Sequence, residues 1–241
     1  MEPLSGRALK QRLESLAASG VGQVPRHVDR GGAARQPMVP EPPAEEPVAA
    51  GCAADRARHL LVLAEQVTGC TLCAELAASR TRTVFGVGSP DARICFLGEA
   101  PGADEDASGE PFVGRAGQLL TKIIEACRLR RDEVYILNVL KCRPPGNRTP
   151  LPDEVGNCRR FFQRQLEIVS PDYICCLGAT AAQALLETTE PIGRLRHRWF
   201  SYQSARVICT YHPSYLLRNP AAKRDVWEDM KTLMAELGVD L

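Results

Sequence analysis

Four cysteines have the residue type and the spacing to close one metal centre. Cys70 and Cys73 form a C-x2-C pair, while Cys142 and Cys158 lie far downstream with fifteen residues between them. Thiolates are soft ligands that suit Zn2+ or an iron–sulfur cluster, and a centre closed by four of them offers no open position to a substrate. We therefore expect a structural or redox role for this centre and expect the reaction chemistry elsewhere in the chain.

The glycine- and acid-rich segment at residues 98–106 is the better candidate for an active site. It follows an apolar run at 92–97, and Asn138 and His212 likewise lie just beyond apolar runs. An amide can read the edge of a base, and a histidine can donate to a developing anion. Taken singly, Asn138 also fits a turn, His212 a structural role, and the acids at 104–106 a solvated loop.

Apolar runs typical of buried strands alternate with amphipathic helical patterns from about residue 54 onward. The predicted strands are at 92–97, 134–137, 173–177 and 206–210, and the predicted helices are at 114–129, 152–169, 178–186 and 220–237. This alternation favours an α/β fold, a single three-layer domain with a central, mostly parallel four-stranded sheet flanked by helices. Ligands bind such sheets beyond the carboxyl ends of the strands, where Glu99, Asn138 and His212 are expected.

The 241 residues, 44% of them hydrophobic, suffice for one substantial core with an appendage. Residues 5–19 have helical periodicity, whereas residues 20–51 are rich in Pro, Gly, Ala and Glu and poor in large apolar side chains. We predict a short helix and a disordered linker over residues 1–53 and one folded domain over residues 54–241. The N-terminal helix is expected to dock either a protein partner or the body of the protein.

The composition predicts a protein without membrane segments in a reducing compartment. No apolar stretch approaches the roughly 18 residues that span a bilayer, and the N-terminus lacks a signal-peptide pattern, so a cytoplasmic location is expected. The net charge of +1 argues mildly against nucleic-acid binding. Basic residues nevertheless cluster at 141–148 and at 194–198, where they suit either phosphate contacts or a solvated loop.

Four segments of the chain occur together in a specific order. They are Cys-Thr-Leu-Cys at 70–73, Gly-Glu-Ala-Pro-Gly at 98–102 with Gly-Glu-Pro-Phe-Val-Gly-Arg-Ala-Gly at 109–117, Asn-Val-Leu-Lys-Cys-Arg-Pro-Pro at 138–145, and His-Pro-Ser-Tyr-Leu-Leu at 212–217. In this combination the chain resembles a family four uracil-DNA glycosylase, from the iron–sulfur branch of the uracil-DNA glycosylase superfamily. The resemblance covers about residues 69–237 and leaves the N-terminal fifty residues outside.

The resemblance implies a [4Fe–4S] cluster held by the four spaced cysteines. Zinc remains the physical alternative, although two C-x2-C pairs would favour zinc more than the wide second spacing found here. The other six cysteines are expected to be ordinary buried thiols, because most of them fall inside apolar strands. These six are Cys52, Cys95, Cys127, Cys175, Cys176 and Cys209.

The resemblance also implies roles in base recognition and bond cleavage. Phe112, which stands in a glycine-flanked loop and taken alone also fits a core anchor, would stack on an extruded uracil. Asn138 would hydrogen-bond the uracil O4 and N3–H, with Gly98 beside it in the binding site. His212 would donate to uracil O2 as negative charge develops there, and water would attack C1′, leaving an abasic site.

The partner of the attacking water is the least defined part of the predicted site. Ala100 stands where the best known branch of the superfamily has a water-organising aspartate. Glu99 is therefore expected to position the water or to brace the backbone. Glu105 is expected to shape the pocket against thymine, and Asn147 is a weaker candidate for either task.

Contacts with DNA are expected from the segment that follows His212. Leu216 falls where the superfamily places an apolar wedge that fills the gap left by the extruded base. Ser214, Arg218 and Arg143 are expected to contact the DNA backbone. The predicted partner is uracil-containing DNA, single- or double-stranded, and the protein is expected to act as a monomer.

Three other functions compete with excision of uracil. A relative that traps uracil-DNA covalently without turnover would carry an inserted Lys-Arg-Arg-Ile-His loop, and no such sequence occurs here. A zinc-dependent nucleobase deaminase would need a Glu two residues after a metal ligand, and among the four cysteines only Cys73 has one, Glu75. The third alternative is a non-enzymatic iron–sulfur module that binds DNA.

Overall fold

A computed structural model describes residues 52–241. The predicted helix at 5–19 and the predicted linker lie outside the described residues. No helix within the described part is long and apolar enough to cross a membrane. The folded part begins with a helix at Ala53, one residue before the predicted start of the domain.

Six strands form one sheet in the described part of the chain, in the order β1–β3–β2–β4–β6–β5. They are β1 (Val87–Gly88), β2 (Ile94–Gly98), β3 (Tyr135–Asn138), β4 (Tyr173–Leu177), β5 (Trp199–Tyr202) and β6 (Ala205–Thr210). The four predicted strands are β2, β3, β4 and β6, and these four run parallel. The register pairs Gly98 of β2 with Asn138 of β3 at the end of both strands.

The two edge strands are antiparallel to their neighbours and are additions to the predicted four-stranded sheet. β1 has only two residues, too few for a periodic pattern to predict it. β5 is partly exposed and follows the basic run at 194–198, which the sequence analysis treats as a surface loop. Neither strand therefore has the buried apolar run that marks the four central ones.

Nine α-helices of the described residues surround the sheet. They are α1 (Ala53–Thr68), α2 (Ala74–Ser79), α3 (Ala103–Ser108), α4 (Arg115–Ala126), α5 (Pro152–Val169), α6 (Ala179–Leu186), α7 (Ile192–Leu195), α8 (Pro213–Arg218) and α9 (Lys223–Glu236). Short 3-10 turns lie at Pro145–Asn147 and Pro220–Ala222. The bounds of α5 agree with the prediction, because Pro152 occupies the first turn and Glu154 accepts a hydrogen bond from the Leu151 N–H.

The core has one hydrophobic cluster on each face of the sheet. Cys95 and Leu97 of β2 point into the cluster with α1, α5 and α6, whereas Ile94 and Phe96 point into the cluster with α4, α8 and α9. This alternation along one strand is the two-residue period of a sheet that is covered on both faces. The predicted three-layer α/β fold is therefore confirmed.

The predicted burial of the six remaining cysteines holds for five of them. Cys95, Cys127, Cys175, Cys176 and Cys209 are buried, whereas Cys52 is exposed just before α1. Within residues 52–241, no cysteine forms a disulfide.

Candidate active site and cysteine set

A cleft of about 420 Å³ opens at the carboxyl ends of β2 and β3. Nine of the predicted site residues line this cleft: Glu99, Ala100, Glu105, Phe112, Asn138, Asn147, His212, Ser214 and Arg218. Gly98, Leu216 and Arg143 are not among its lining residues. The structure thus brings together residues that are more than one hundred positions apart in the sequence.

Asn138 ends β3 with its side chain at the base of the cleft. The residue is only 2% exposed, and its Oδ1 atom is buried without a hydrogen-bond partner. A buried acceptor that is left unpaired is costly, and most such groups in native proteins are satisfied by protein or water. The orphaned oxygen indicates that a ligand N–H is the missing partner.

Gly98 allows the aromatic and amide groups of the cleft to approach each other. A Cβ at this position would lie 2.5 Å from Phe112 Cζ and would also overlap Asn138 Oδ1. The glycine thus lies behind these two side chains. Its role is to leave space for them, and it does not contact a substrate directly.

Phe112 has an unusual backbone conformation, with φ at 54°. Its ring is buried, and the ring centroid lies 5.5 Å from that of His212. The backbone fits tightly over α4, because a Cβ on Gly117 would overlap the Phe112 carbonyl group. A strained non-glycine residue persists only where its surroundings determine it, and such residues concentrate at binding sites.

Glu105 and Arg131 hold the loop that carries Phe112. Glu105 Oε1 accepts hydrogen bonds from the backbone N–H groups of Val113 and Gly114, each at 2.9 Å, and Oε2 accepts one from Gly102 at 3.1 Å. The Arg131 guanidinium donates to the Pro111 carbonyl on the opposite side of the loop. Glu105 therefore braces the loop, and its predicted selection against thymine stays a prediction.

The acidic segment at 104–106 lies on the short helix α3. Asp106 is buried and accepts hydrogen bonds from the Thr81 N–H at 2.9 and 3.0 Å. For Asp106 the solvated-loop alternative is therefore wrong. Asp104 is exposed and lines the cleft.

His212 caps the start of α8 and faces the cleft. The backbone N–H of Ser214 donates to His212 Nδ1 at 3.1 Å, so this nitrogen is unprotonated. Burial, together with the charge of Arg218, lowers the pKa of His212 to about 4 against the opposing effect of Glu105. The ring is therefore neutral at pH 7, with its proton on Nε2, and Nε2–H is the donor that remains for a ligand.

Glu99 begins the loop after β2 and lines the cleft. Thr180 Oγ1, at the start of α6, donates to Glu99 Oε2 at 2.5 Å, and the Glu99 carbonyl accepts from the Leu140 N–H at 3.0 Å. Both the side chain and the backbone of Glu99 are thus fixed by neighbouring elements. Thr180 has no motif around it that would have predicted this contact.

The predicted apolar wedge requires a correction. Leu216 is 1% exposed and packs in the core cluster with α4 and α9, so its side chain is not available to DNA in this structure. Its neighbours Tyr215 and Leu217 are each 38% exposed. Because successive residues of a helix point about 100° apart, the side chains on either side of Leu216 face outward.

The basic run at 194–198 is divided between a buried arginine, Arg196, and exposed basic residues. Arg196 is buried, donates to Asp229 at 2.8 Å and lies 4.3 Å over the Tyr211 ring. Arg198 pairs with Glu190 at 3.2 Å. Arg196 therefore forms a buried ion pair with Asp229.

The 141–148 segment is similarly divided. Arg148 donates to Glu154 and Glu75, each at 2.7 Å, and is therefore tied to helices α5 and α2. Arg143 Nε donates to Asn147 Oδ1 at 2.7 Å, so Asn147 orients the Arg143 guanidinium while also lining the cleft. Lys141 is only 1% exposed and is not a surface residue.

The cysteine set, Cys70, Cys73, Cys142 and Cys158, gathers between α1, α2, α5 and the loop after β3. Cys142 and Cys158 are buried, and Cys70 and Cys73 pack against the same core cluster. Arg80 Nη1 donates to Cys142 Sγ at 3.1 Å, and Asn157 Nδ2 donates to Cys73 Sγ at 3.4 Å. Donors directed at sulfur are the environment that a metal-bound thiolate requires.

The thiols of the cysteine set influence each other electrostatically. Burial, with smaller contributions from the neighbouring Cys142 and Cys73, raises the pKa of Cys158 to about 12, and Lys141 opposes this increase. Burial also raises the pKa of Cys142, with further increases from Cys70 and Cys73, while Arg80 opposes them. All four sulfur groups thus occupy one neighbourhood, and ionising them together requires a bound cation to offset their charge.

The four thiols suit more than one kind of metal group. Within residues 52–241, no group of three or more His, Cys, Asp or Glu side chains is placed to hold one metal ion. A lone Zn2+ draws its four thiolates within about 2.3 Å of the metal, whereas an iron–sulfur cluster several ångströms across holds them farther apart. Four thiols in one neighbourhood are thus a ligand set that fits a thiolate-bound metal group, either mononuclear zinc or an iron–sulfur cluster.

Comparisons with known proteins agree with this geometry. The model of the uracil DNA glycosylase superfamily matches residues 85–231. A type-4 uracil-DNA glycosylase of Thermotoga maritima is 46% identical over 174 residues, which cover 70% of this chain and 90% of that protein. The type-4 enzyme of Archaeoglobus fulgidus is 43% identical over 180 residues, 71% of this chain and 89% of that protein.

A more distant relative is a type-5 uracil-DNA glycosylase of Thermus thermophilus, 31% identical over 153 residues that cover 51% of this chain and 69% of that protein. The type-4 relatives thus match more of this chain at higher identity than this type-5 enzyme does. The chain belongs to the uracil-DNA glycosylase superfamily, in its type-4 family.

Proposed function

We propose that this protein removes uracil from DNA by hydrolysing the N-glycosidic bond, which releases free uracil and leaves an abasic site. The observation that carries this proposal is the convergence of three groups on one cleft. These groups are the Phe112 ring, the unpaired Asn138 Oδ1 and the Nε2–H of His212.

Recognition of the base rests on Asn138. Its orphaned Oδ1 accepts the uracil N3–H, and its amide NH2 donates to O4. Cytosine has an unprotonated N3 and an amino group at this edge, so both hydrogen bonds would be reversed. A buried amide held in one orientation therefore distinguishes the two bases, because the wrong base leaves buried polar groups unpaired.

Bond cleavage rests on His212. As the bond between C1′ and N1 lengthens, negative charge develops on uracil O2, and the neutral imidazole donates its Nε2–H to that oxygen. The donor is oriented in advance, because the Ser214 N–H fixes the opposite ring nitrogen. A preorganised donor of this kind contributes about 3–4 kcal/mol to transition-state stability.

Glu99 is the residue we assign to the attacking water. Its carboxylate lines the cleft, and Thr180 holds one of the two oxygens, which leaves the other for a water molecule. Ala100 and Gly102, at the neighbouring positions, have no side-chain group that would compete for this task. Asn147 is directed instead toward Arg143.

The cysteine set supports a [4Fe–4S] cluster in this proposal. When bound, such a cluster supplies four metal–thiolate bonds that cross-link the segments around Cys70, Cys73, Cys142 and Cys158. Because Cys142 directly precedes Arg143, these bonds would hold a basic loop at the edge of the cleft. The cluster would thus support DNA binding and would take no part in bond cleavage.

The substrate must enter the cleft as an extruded nucleotide, because a base within a duplex is out of reach. Extrusion costs least from a U·G mismatch or from a single strand, so both forms are expected substrates. Ser214 and Arg218 line the cleft and are suited to the flanking phosphates, and we assign the same role to Arg143, which the cleft residue Asn147 orients. A single chain supplies every group named here, so we infer a monomer.

Two further parts of the proposal concern the surroundings of the enzyme. Thiols and an iron–sulfur cluster persist in a reducing compartment, which fits a cytoplasmic location. The amphipathic pattern at residues 5–19 fits an N-terminal contact with a protein partner.

The test of this function is excision from an oligonucleotide that carries one uracil. We expect alkali to cleave the product strand at the uracil position after incubation with the protein, and free uracil to appear in equal amount. Oligonucleotides with thymine or hypoxanthine at that position, and unmodified DNA, serve as controls. Binding of the uracil strand without release of uracil would refute the proposal and favour a non-turnover DNA-binding protein.

A further inference from the structure

Lys141 is a buried cation that the proposed reaction does not use. Its ammonium group donates to the Asn138 carbonyl at 2.7 Å and to the Phe85 carbonyl at 3.2 Å. The residue is 1% exposed, and among residues 52–241 no carboxylate forms an ion pair with it. A buried ammonium is costly unless a negative group or several dipoles compensate its charge.

The backbone of Lys141 contacts the cysteine set. Its N–H donates to the sulfur of Cys158, and Cys142 is the next residue along the chain. Burial lowers the pKa of Lys141 to about 7, and the charges of Cys158 and Cys142 oppose this decrease. The Lys141 carbonyl accepts from the Val84 N–H at 2.8 Å, so this residue is fixed from several directions.

Lys141 therefore touches the two sites of the molecule at once. Its side chain supports the strand end whose amide reads the base, and its main chain lies against the sulfur atoms. Four thiolates bound to an iron–sulfur core carry a net negative charge, which would supply the counter-charge that no carboxylate provides.

We propose that Lys141 is a positioning residue that couples the cysteine set to Asn138, because its ammonium donates to the Asn138 carbonyl while its main chain directly precedes Cys142. The proposal rests on the proposed function of the cleft. It assigns Lys141 two effects that a merely structural residue would not combine. These effects are retention of iron by the cysteine set and correct placement of the base-reading amide.

The test compares Lys141→Met with Gln165→Met. Gln165 is also fully buried, and its Nε2 donates at 3.0 Å to the same Phe85 carbonyl and to the Tyr135 hydroxyl. It forms no hydrogen bond with Asn138 or with the cysteine set. Both variants lose a buried donor to Phe85, but only the lysine variant also loses the hydrogen bond to the Asn138 carbonyl and the ammonium charge near the sulfur atoms.

Two readouts are required for each variant, purified with its cluster. The first is the rate at which iron leaves the protein in the presence of a chelator, followed by the visible absorbance. The second is the single-turnover rate of uracil excision per iron-loaded protein, together with the dissociation constant for abasic product DNA.

We expect Lys141→Met to lose iron about tenfold faster and to excise uracil about tenfold more slowly, with product affinity changed less than about threefold. Gln165→Met should match the wild type within about twofold in both rates. Equal behaviour of the two variants, or a change in only one of the two rates, would overturn the coupling. If Lys141→Met does not fold, Lys141→Gln is compared with Gln165→Met under the same criteria.

Failure of the proposed function is distinguishable from failure of this inference. A wild-type protein that excises no uracil from DNA refutes the proposed function. The rate of iron loss still tests the contact between Lys141 and the cysteine set in that case.

Discussion

The cleft and the cysteine set adjoin the same loop after β3 but are assembled in different ways. In the cleft, local backbone groups orient the functional side chains, as the Ser214 N–H orients His212 and Gly98 admits Phe112. The cysteine set draws its members from segments up to 88 residues apart, Cys70 to Cys158. One site is complete in the chain itself, whereas the other requires a bound group to neutralise and join its members.

The difference in assembly indicates different roles: the cleft carries out the reaction, and the cysteine set stabilises the surrounding loops. A preorganised cleft accelerates a reaction because its dipoles need no rearrangement in the transition state. A cross-linked cysteine set stabilises the loops around it, because metal–thiolate bonds contribute to folding. Substitutions in the cleft should therefore reduce the rate with little loss of stability, and substitutions in the cysteine set should do the reverse.

The largest effect is expected at His212. His212→Ala removes the donor to uracil O2 and should lower the single-turnover excision rate by about 10²–10³-fold. Ser214→Ala is the matched variant, because it keeps the backbone N–H that fixes the ring and loses only the hydroxyl at 2.8 Å from Nδ1. Its rate should fall less than about tenfold. A comparable loss in both variants would contradict the assignment of the backbone N–H as the orienting group.

A second large effect concerns stability and pH. Burial on folding lowers the pKa of His212 from 6.5 to about 4. Between these two pH values the unfolded chain therefore binds a proton at His212, whereas the folded protein does not. The free energy of unfolding should therefore fall as the pH is lowered from about 6.5 to about 4, by about 3 kcal/mol in total from this residue. Urea unfolding of the wild type and of His212→Gln at several pH values measures the difference. If both curves fall equally over this range, His212 is not held neutral.

The sequence predicted most of what the cleft depends on. Apolar runs located the four central strands to within two residues, and the parallel alternation placed the residues at 99, 138 and 212 at one edge of the sheet. These features are local, because each depends on a residue's own strand and the turn that follows it. The family resemblance added the pairing of these residues with Phe112.

The sequence did not predict contacts between side chains that are distant in the chain. Arg131 and Thr180 act on the site through hydrogen bonds to other segments, and no periodicity or motif marks such partners. The wedge at Leu216 failed for a related reason. A motif position fixes the residue type, but the phase of the short helix α8 determines which side chain faces the core.

Gly98 provides an intermediate effect that tests how tightly the cleft is packed. Gly98→Ala places a methyl group against Phe112 and Asn138, and a displacement of about 1 Å at a reacting centre costs about 10²-fold in rate. Gly156→Ala is the control, since a Cβ there meets nothing within 4 Å on helix α5. That variant should keep full activity and gain about 0.5–1 kcal/mol in stability. An active Gly98→Ala protein would show that the cleft adapts and that its packing is not decisive.

The smallest effect on the excision rate is expected from the cysteine set. A substitution there should change stability and DNA affinity more than it changes the rate. Cys142→Ala removes one ligand beside Arg143, so the protein should lose its brown colour and unfold at a lower temperature. Its affinity for DNA should fall about tenfold as the basic loop loses its anchor, while the excision rate of bound substrate changes less. Cys127→Ala removes a buried thiol on the opposite face of the sheet and should lower stability alone. A folded, cluster-free Cys142→Ala protein with unchanged DNA affinity would refute the supporting role, because the loop would then be held by the Arg143 contact to Asn147 and not by the thiolates.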